Sequence, residues 1–249
     1  MQLKIYKDYN TLSQHAASEI VAMVKGKPDA VLCFASGDTP RQAYNLLSES
    51  TAKENADFSR CIFIGLDEWV GIPPENEGSC SFFLHNTVFK PLNIDSGKIH
   101  LFNALSGDLA EECKKMDKII FEKGGIDLMI VGVGMNGHIG FNEPGVSADK
   151  YSHVINLDNT TQTTGQKYFK QPVLLKQGIT LGLKYLMEAK KVILMANGIK
   201  KAEVIKRAVE EEVNIDMPAS IMQTHPAGIV MIDEEAGSLL NKKRQQISK

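Results

Sequence analysis

Five short apolar runs constrain this chain more than any other feature: AVLCFA (30–35), CIFIGL (61–66), IDLMIVGV (126–133), KVILMA (191–196) and GIVMID (228–233). None alternates polar with apolar residues. A strand of that kind needs cover on both faces, as strands of a parallel sheet have. Helical patterns separate them. Residues 11–25 place Leu12, Ala16, Ile20, Met23 and Val24 on one face, and a second helix runs through Ala43, Leu46 and Leu47. SCSFFLHNTVF reads as a helix. Residues 107–122 carry Asp108, Glu111 and Glu112 in a first turn, where acids complement the helix dipole. Further helices are expected near 199–210 and 234–241, and further strands at KIHLF (98–102), HVINL (153–157) and GITLGL (178–183). The expectation is an α/β fold, Rossmann-like, with a mostly parallel sheet flanked by helices on both faces. No repeat or composition break divides the chain, so residues 1–249 read as one domain.

Composition narrows the partners. A chain of 249 residues with 43% hydrophobic residues can bury a large core. Its net charge of −2 offers no basic excess for nucleic acid and no polybasic segment for an anionic membrane. The start, MQLKIYKDYN, lacks the apolar core of a signal peptide, and no apolar run approaches the length of a membrane span. A cytoplasmic protein is expected. Cys33, Cys61, Cys80 and Cys113 are scattered without a C-x-x-C pair and read as buried free thiols. The six histidines form no H-x-x-x-H or H-E-x-x-H pattern, which argues against a metal site.

In a parallel sheet, ligands bind beyond the carboxyl ends of the strands. Three polar clusters follow apolar runs there: Ser36–Pro40, Asp67–Glu68 and Met135–Glu143. SGDTP opens a helix, with Thr39 expected as N-cap and Pro40 at the first helical position. Gly37 lets a ligand approach the backbone, and free N–H groups at a helix start favour an anion. Ordinary capping explains the same residues. Lys200 and Lys201 follow Gly198 at another helix start, where cations oppose the dipole and an anion would justify them. Asp67 at a strand end is a candidate base, since partial desolvation raises a carboxylate toward useful pKa values. His138 lies in GVGMNGHIGFNEPG, with Glu143 five residues on and able to fix its tautomer. A structural histidine is the plain alternative, but Gly132, Gly134, Gly137 and Gly140 cost backbone entropy that such a turn rarely spends. The G-x-G-x-x-G at 132–137 lies mid-chain without a long helix after it and is rejected as a dinucleotide site.

Taken together, LDEWVGIPPENEGSC, GVGMNGHIGFNEPG, GIKKA and PASIMQTHP resemble the glucosamine/galactosamine-6-phosphate isomerase (deaminase) family, from about Pro28 to Asp233. The resemblance implies conversion of a 2-amino-2-deoxyhexose 6-phosphate to a ketohexose 6-phosphate plus ammonia, without metal or organic cofactor. It implies Asp67 as the base serving C2 and C1, His138 as the group that opens the sugar ring, and Glu143 as its orienting partner. Ser36, Gly37 and Thr39 match the phosphate loop and Lys201 a phosphate-binding lysine. Several positions depart from the pattern. Asn136 stands where many members have aspartate, and it can orient His138 only through a neutral hydrogen bond. Lys167 stands where longer members have a phosphate-binding arginine, and lysine lacks the bidentate geometry. Asp38 replaces a small residue. Trp69, the GSC segment and QPV before GITLGL lean toward the galactosamine branch. Residues 151–177, polar and irregular, suit a lid over the site. The alternatives are a 6-phosphogluconolactonase of the same fold and a non-catalytic sugar-phosphate sensor. The resemblance leaves the oligomeric state open between monomer and homo-oligomer.

Overall fold

The computed structural model describes residues 1–54 and 56–241; residues 242–249 of the expected domain lie outside the described residues. The strands are β1 (Gln2–Tyr6), β2 (Val31–Phe34), β3 (Ile62–Gly65), β4 (Asp67–Trp69), β5 (Ile99–His100), β6 (Leu128–Gly132), β7 (His153–Asn156), β8 (Gln177–Thr180), β9 (Val192–Ala196) and β10 (Gly228–Asp233). The helices are α1 (Tyr9–Gly26), α2 (Asp38–Glu54), α3 (Cys80–Leu84), α4 (Leu109–Glu122), α5 (Asn159–Gly165), α6 (Leu183–Glu188) and α7 (Ala202–Glu210).

Seven strands form one sheet in the order β1-β10-β9-β6-β2-β3-β5, every neighbouring pair parallel. Both faces are covered, as unalternating apolar strands require. Leu32, Phe34, Ile130 and Met195 point into one core with Leu12, Ile20 and Leu47 of α1 and α2. Their neighbours Cys33, Val131 and Leu194 point into the other, with Met116 and Ile120 of α4 and Ile205 of α7. Each such side chain, fully buried, contributes roughly 1.5–3 kcal/mol. Asp108 caps α4 by accepting from the Glu111 N–H at 2.9 Å, so this acid precedes the first turn and does not belong to it.

Three expectations are corrected. HVINL and GITLGL do not join the parallel sheet: β7 and β8 pair antiparallel with each other and with β4 in a separate three-stranded sheet. The crossing happens at Leu66, whose N–H bonds Phe34 of the large sheet while its carbonyl accepts from Leu181 after β8. Trp69, Phe141 and Leu175 pack there as a small core of their own. Residues 234–241 form turns and no helix, and Asp233 caps the first of them by accepting from the Ala236 N–H at 2.8 Å. KIHLF contributes only two residues to the sheet, as the short edge strand β5. SCSFFLHNTVF is helical throughout but changes gauge, α3 passing into a π-turn over His85–Phe89.

The sheet order reverses between β2 and β6. From β2 the chain proceeds outward through β3 and β5, and from β6 through β9 and β10. The loops leaving these strands diverge at that point, and a crevice opens at their carboxyl ends.

Candidate active site

One end of the crevice gathers lysines around two glycine turns. After β2, Ser36 and Gly37 turn the chain into α2. Gly37 has φ +116°, a left-handed value that disfavours any side chain. The helix begins at Asp38, so Thr39 is not its cap and Pro40 is its third residue. The Thr39 hydroxyl instead donates to Asn197 Oδ1 at 3.0 Å and ties this loop to the one after β9. There Gly198, with φ +83°, donates its N–H to both oxygens of the buried Asp233 carboxylate at 3.0 Å. The following 3-10 turn, Ile199–Lys201, delivers Lys201. Lys201 Nζ donates to the Val133 carbonyl at 2.6 Å. Burial, with Lys167 nearby, pulls its pKa down to about 8. Lys167 reaches across from beyond α5 to pair with Asp38 at 2.8 Å. Arg41 approaches the same carboxylate at 3.5 Å. Burial opposes the charge of both partners, but their hydrogen bond prevails: the Asp38 pKa is lowered and that of Lys167 raised.

The other end holds a carboxylate and an imidazole, Asp67 and His138. Asp67 and Glu68 are adjacent in sequence and opposite in role. Glu68 is 2% exposed and accepts from the N–H groups of Trp69, Cys80 and Ser81 and from the Ser81 hydroxyl. It is spent on holding the start of α3. Asp67 opens toward the crevice. Burial first, then the charge of Glu68, raises its pKa to about 7, against a hydrogen bond from the Cys80 thiol that lowers it. Ser36 Oγ donates to Cys80 Sγ at 3.0 Å, so the two ends are linked through this thiol.

His138 sits in the turn after β6. A Cβ on Gly134 would collide with the imidazole, and one on Gly137 with Met217. These glycines are required for close approach and for a left-handed turn, Gly137 having φ +89°. His138 Nδ1 lies 3.0 Å from Thr161 Oγ1 and 3.5 Å from Glu143 Oε2. Glu143 is buried; its Oε2 also accepts from Asn136 Nδ2 at 2.9 Å and its Oε1 from the Asp158 N–H at 3.2 Å. Burial works to raise the Glu143 pKa, but the neighbouring His138, Thr161 and Asn136 hold it down. Asn136 does not touch the ring. It accepts from the His138 main-chain N–H at 3.3 Å and otherwise supports Glu143.

A cavity of about 900 Å³ joins the two ends. Asp67, His138, Ser36, Gly37, Thr39, Lys167 and Lys201 all line it, while Asn136 and Glu143 stand behind the imidazole. Residues 151–177 cover it from one side as β7, α5 and a 3-10 turn. This cover is more regular than its sequence implied. Gly165 packs on Trp69 and Gly78 on Phe169 so closely that neither tolerates a Cβ. Thr161, Cys80 and Arg41 escaped the sequence reading. Arg41 directly follows the SGDTP cluster and Cys80 closes the GSC segment, so both had a local signal; Thr161 had none, and only the fold brings it to the crevice.

A cradle of glycine and lysine at one end of a switch-point crevice, facing a carboxylate and an imidazole at the other, is what an α/β enzyme would need to hold a phosphorylated small molecule and move protons on it. The chain belongs to the family of Glucosamine-6-phosphate isomerases/6-phosphogluconolactonase, which it matches over residues 8–231. It is 38% identical over 241 residues to the glucosamine-6-phosphate deaminase of Thermoanaerobacter pseudethanolicus, covering 96% of this chain and 95% of that one. It is 38% identical over 245 residues to the glucosamine-6-phosphate deaminase of Clostridium botulinum strain Loch Maree, covering 98% and 100%. Among solved structures, a monomeric glucosamine-6-phosphate deaminase of the NagB superfamily superposes with a TM-score of 0.93 at 32% identity, over 96% of this chain and 100% of that one. The 6-phosphogluconolactonase of Trypanosoma brucei, at 15% identity and a TM-score of 0.76 over 96% and 98%, shares the fold.

Proposed function

We propose that this protein converts glucosamine 6-phosphate to the ketohexose 6-phosphate and ammonia. The observation that carries the reading is the opening of Asp67, His138 and Lys201 onto one cavity. Relatives at 38% identity that span the chain, both glucosamine-6-phosphate deaminases, support it. Lys201, with Ser36, Gly37 and Thr39 around it, holds the phosphate; Lys167 joins them when it leaves Asp38. His138 takes the proton from the anomeric hydroxyl and returns one to the ring oxygen as the C1–O5 bond breaks, giving the open-chain aldehyde. Asp67 takes the C2 proton while O1 takes one from the substrate's own ammonium, giving the enolamine; Asp67 then delivers its proton to C1, leaving an iminium at C2. Water adds there and ammonia leaves. Phosphate binding, remote from the reacting carbons, keeps C1 and C2 in register with the carboxylate. Glu143, supported by Asn136, orients the imidazole.

A coupled ammonia assay on glucosamine 6-phosphate and on galactosamine 6-phosphate tests this, with 6-phosphogluconolactone hydrolysis measured beside it. Ammonia release from the glucosamine epimer is expected. Faster turnover of the galactosamine epimer restores the branch toward which Trp69 and the GSC segment lean. Rapid lactone hydrolysis with no ammonia from either sugar overturns the reading. Silence on all three, together with thermal stabilisation by the sugar phosphates, favours a sensor.

A further inference from the structure

We propose that Thr161 is a positioning residue for His138: its hydroxyl accepts from Nδ1–H, so the Nε2 lone pair faces the cavity. This rests on the proposed ring-opening role of His138. The geometry sets the direction of this bond. Glu143, ionised and already accepting from Asn136 Nδ2 and the Asp158 N–H, has only acceptors to offer. Its Oε2 faces Nδ1 at 3.5 Å, and a carboxylate on that side favours hydrogen on Nδ1. With hydrogen on Nδ1, the Thr161 hydroxyl 3.0 Å away is the acceptor that takes it. The direct Nδ1–Glu143 separation of 3.5 Å is too long to do this as well. Gly134 blocks displacement of the ring on its other side, since no Cβ fits there. Thr161 is 2% exposed, so no water competes for its hydroxyl.

The origin of Thr161 gives the contact its meaning. It belongs to α5, in the segment that covers the cavity, and Gly165 of the same helix is seated on Trp69, two residues after Asp67. The helix that supplies the hydroxyl is thus registered against the strand that supplies the carboxylate. The imidazole reaches its working tautomer only with α5 in this place.

The test uses Thr161→Val, which keeps the shape and removes the hydroxyl, and Thr161→Ser, which keeps the hydroxyl. The tautomer is read first, from the 15N shifts of the imidazole at pH 8.5 without substrate, His138 being assigned by comparison with His138→Gln. The wild type is expected to carry hydrogen on Nδ1, and Thr161→Val to show a mixture. With glucosamine 6-phosphate, Thr161→Val is expected to lose about 10²-fold in kcat, the scale of a misplaced catalytic group. KM should hold, and Thr161→Ser should keep most of the rate. Hydrogen on Nε2 in the wild type overturns the proposal, as does an unchanged tautomer and kcat in Thr161→Val, or a Thr161→Ser as slow as Thr161→Val. If Thr161→Val does not fold, the wild-type tautomer and the serine variant still decide. The tautomer is measured without turnover, so absence of amino sugar deamination would sink the functional reading and leave this one to be judged on its own.

Discussion

Asp67→Asn separates a catalytic carboxylate from a structural one, because the two readings predict opposite changes in stability. The fold favours the protonated form, raising the pKa from 3.8 to about 7. For a raised carboxyl the contribution to stability is full below the unfolded value. It is lost as pH climbs through the folded one, here between about 4 and about 7. A shift of roughly three units is worth at most about 4 kcal/mol at 1.36 kcal/mol per unit. Asparagine occupies nearly the same volume and carries no charge, so above pH 7 the variant should recover much of that amount. For a chain of this size, 1 kcal/mol moves Tm by roughly 2–4 °C. A Tm several degrees above wild type is therefore expected at pH 8, shrinking to nothing near pH 4. Ammonia release should fall by about 10²–10⁴-fold, the usual weight of a positioned acid–base group. Thermal melts at pH 4, 6 and 8 beside the ammonia assay supply both readouts. A variant that melts lower than wild type at pH 8 while keeping its activity refutes the reasoning.

Other perturbations address the supporting residues. The rate should fall above about pH 8 as Lys201 loses the proton that binds phosphate; the loss should appear in KM, and a fall confined to kcat would exclude Lys201 as its source. Glu68→Gln leaves buried N–H groups facing an amide NH2, at a cost of about 1–3 kcal/mol, and it removes the charge that helps raise Asp67. Its acid limb in kcat/KM should move to lower pH, and an unmoved limb would show that Glu68 does not act on Asp67. Asp38→Gly frees Lys167 and Arg41 from an exposed ion pair of the kind worth at most about 1 kcal/mol. KM for the phosphorylated substrate should drop by roughly 2- to 5-fold. A rise would show that Asp38 helps to place these cations and does not compete for them.

What could be read from sequence divides along a physical line. The five apolar runs sufficed for five of the seven strands of the large sheet, because unalternating strands have only one kind of cover; the edge strand QLKIY carries no such run. The glycines around His138 betrayed a crowded turn before any ring position was known. The small sheet stayed hidden. HVINL and GITLGL have the same composition whether they pair parallel or antiparallel, and nothing in LDEW announces that Leu66 changes sheets. Thr39 looked like an N-cap because capping is a local rule, but the hydroxyl found Asn197, 158 positions away. Glu68 and Asp67 are indistinguishable as letters. Only the start of α3, arriving from residue 80, decides which of them is consumed by backbone N–H groups and which remains open.

Both ends of the cavity hold a charge at a disadvantage. Burial disfavours the ammonium of Lys201 and the carboxylate of Asp67, and among the described residues neither is neutralised by a side chain of opposite sign: Lys201 donates to a carbonyl, and Asp67 accepts from a thiol. An amino sugar phosphate supplies what each lacks. Its phosphate is a counter-charge for Lys201, and the proton leaving C2 neutralises Asp67 as the enolamine forms. The second relief appears only along the reaction, so it lowers the barrier, whereas the first is already present in the bound substrate and acts on affinity. Replacing Lys201 by methionine should therefore raise KM with a smaller effect on kcat, and Asp67→Asn should lower kcat with KM nearly unchanged. If both substitutions moved the same parameter, the two charges would not be serving separate ends of one ligand.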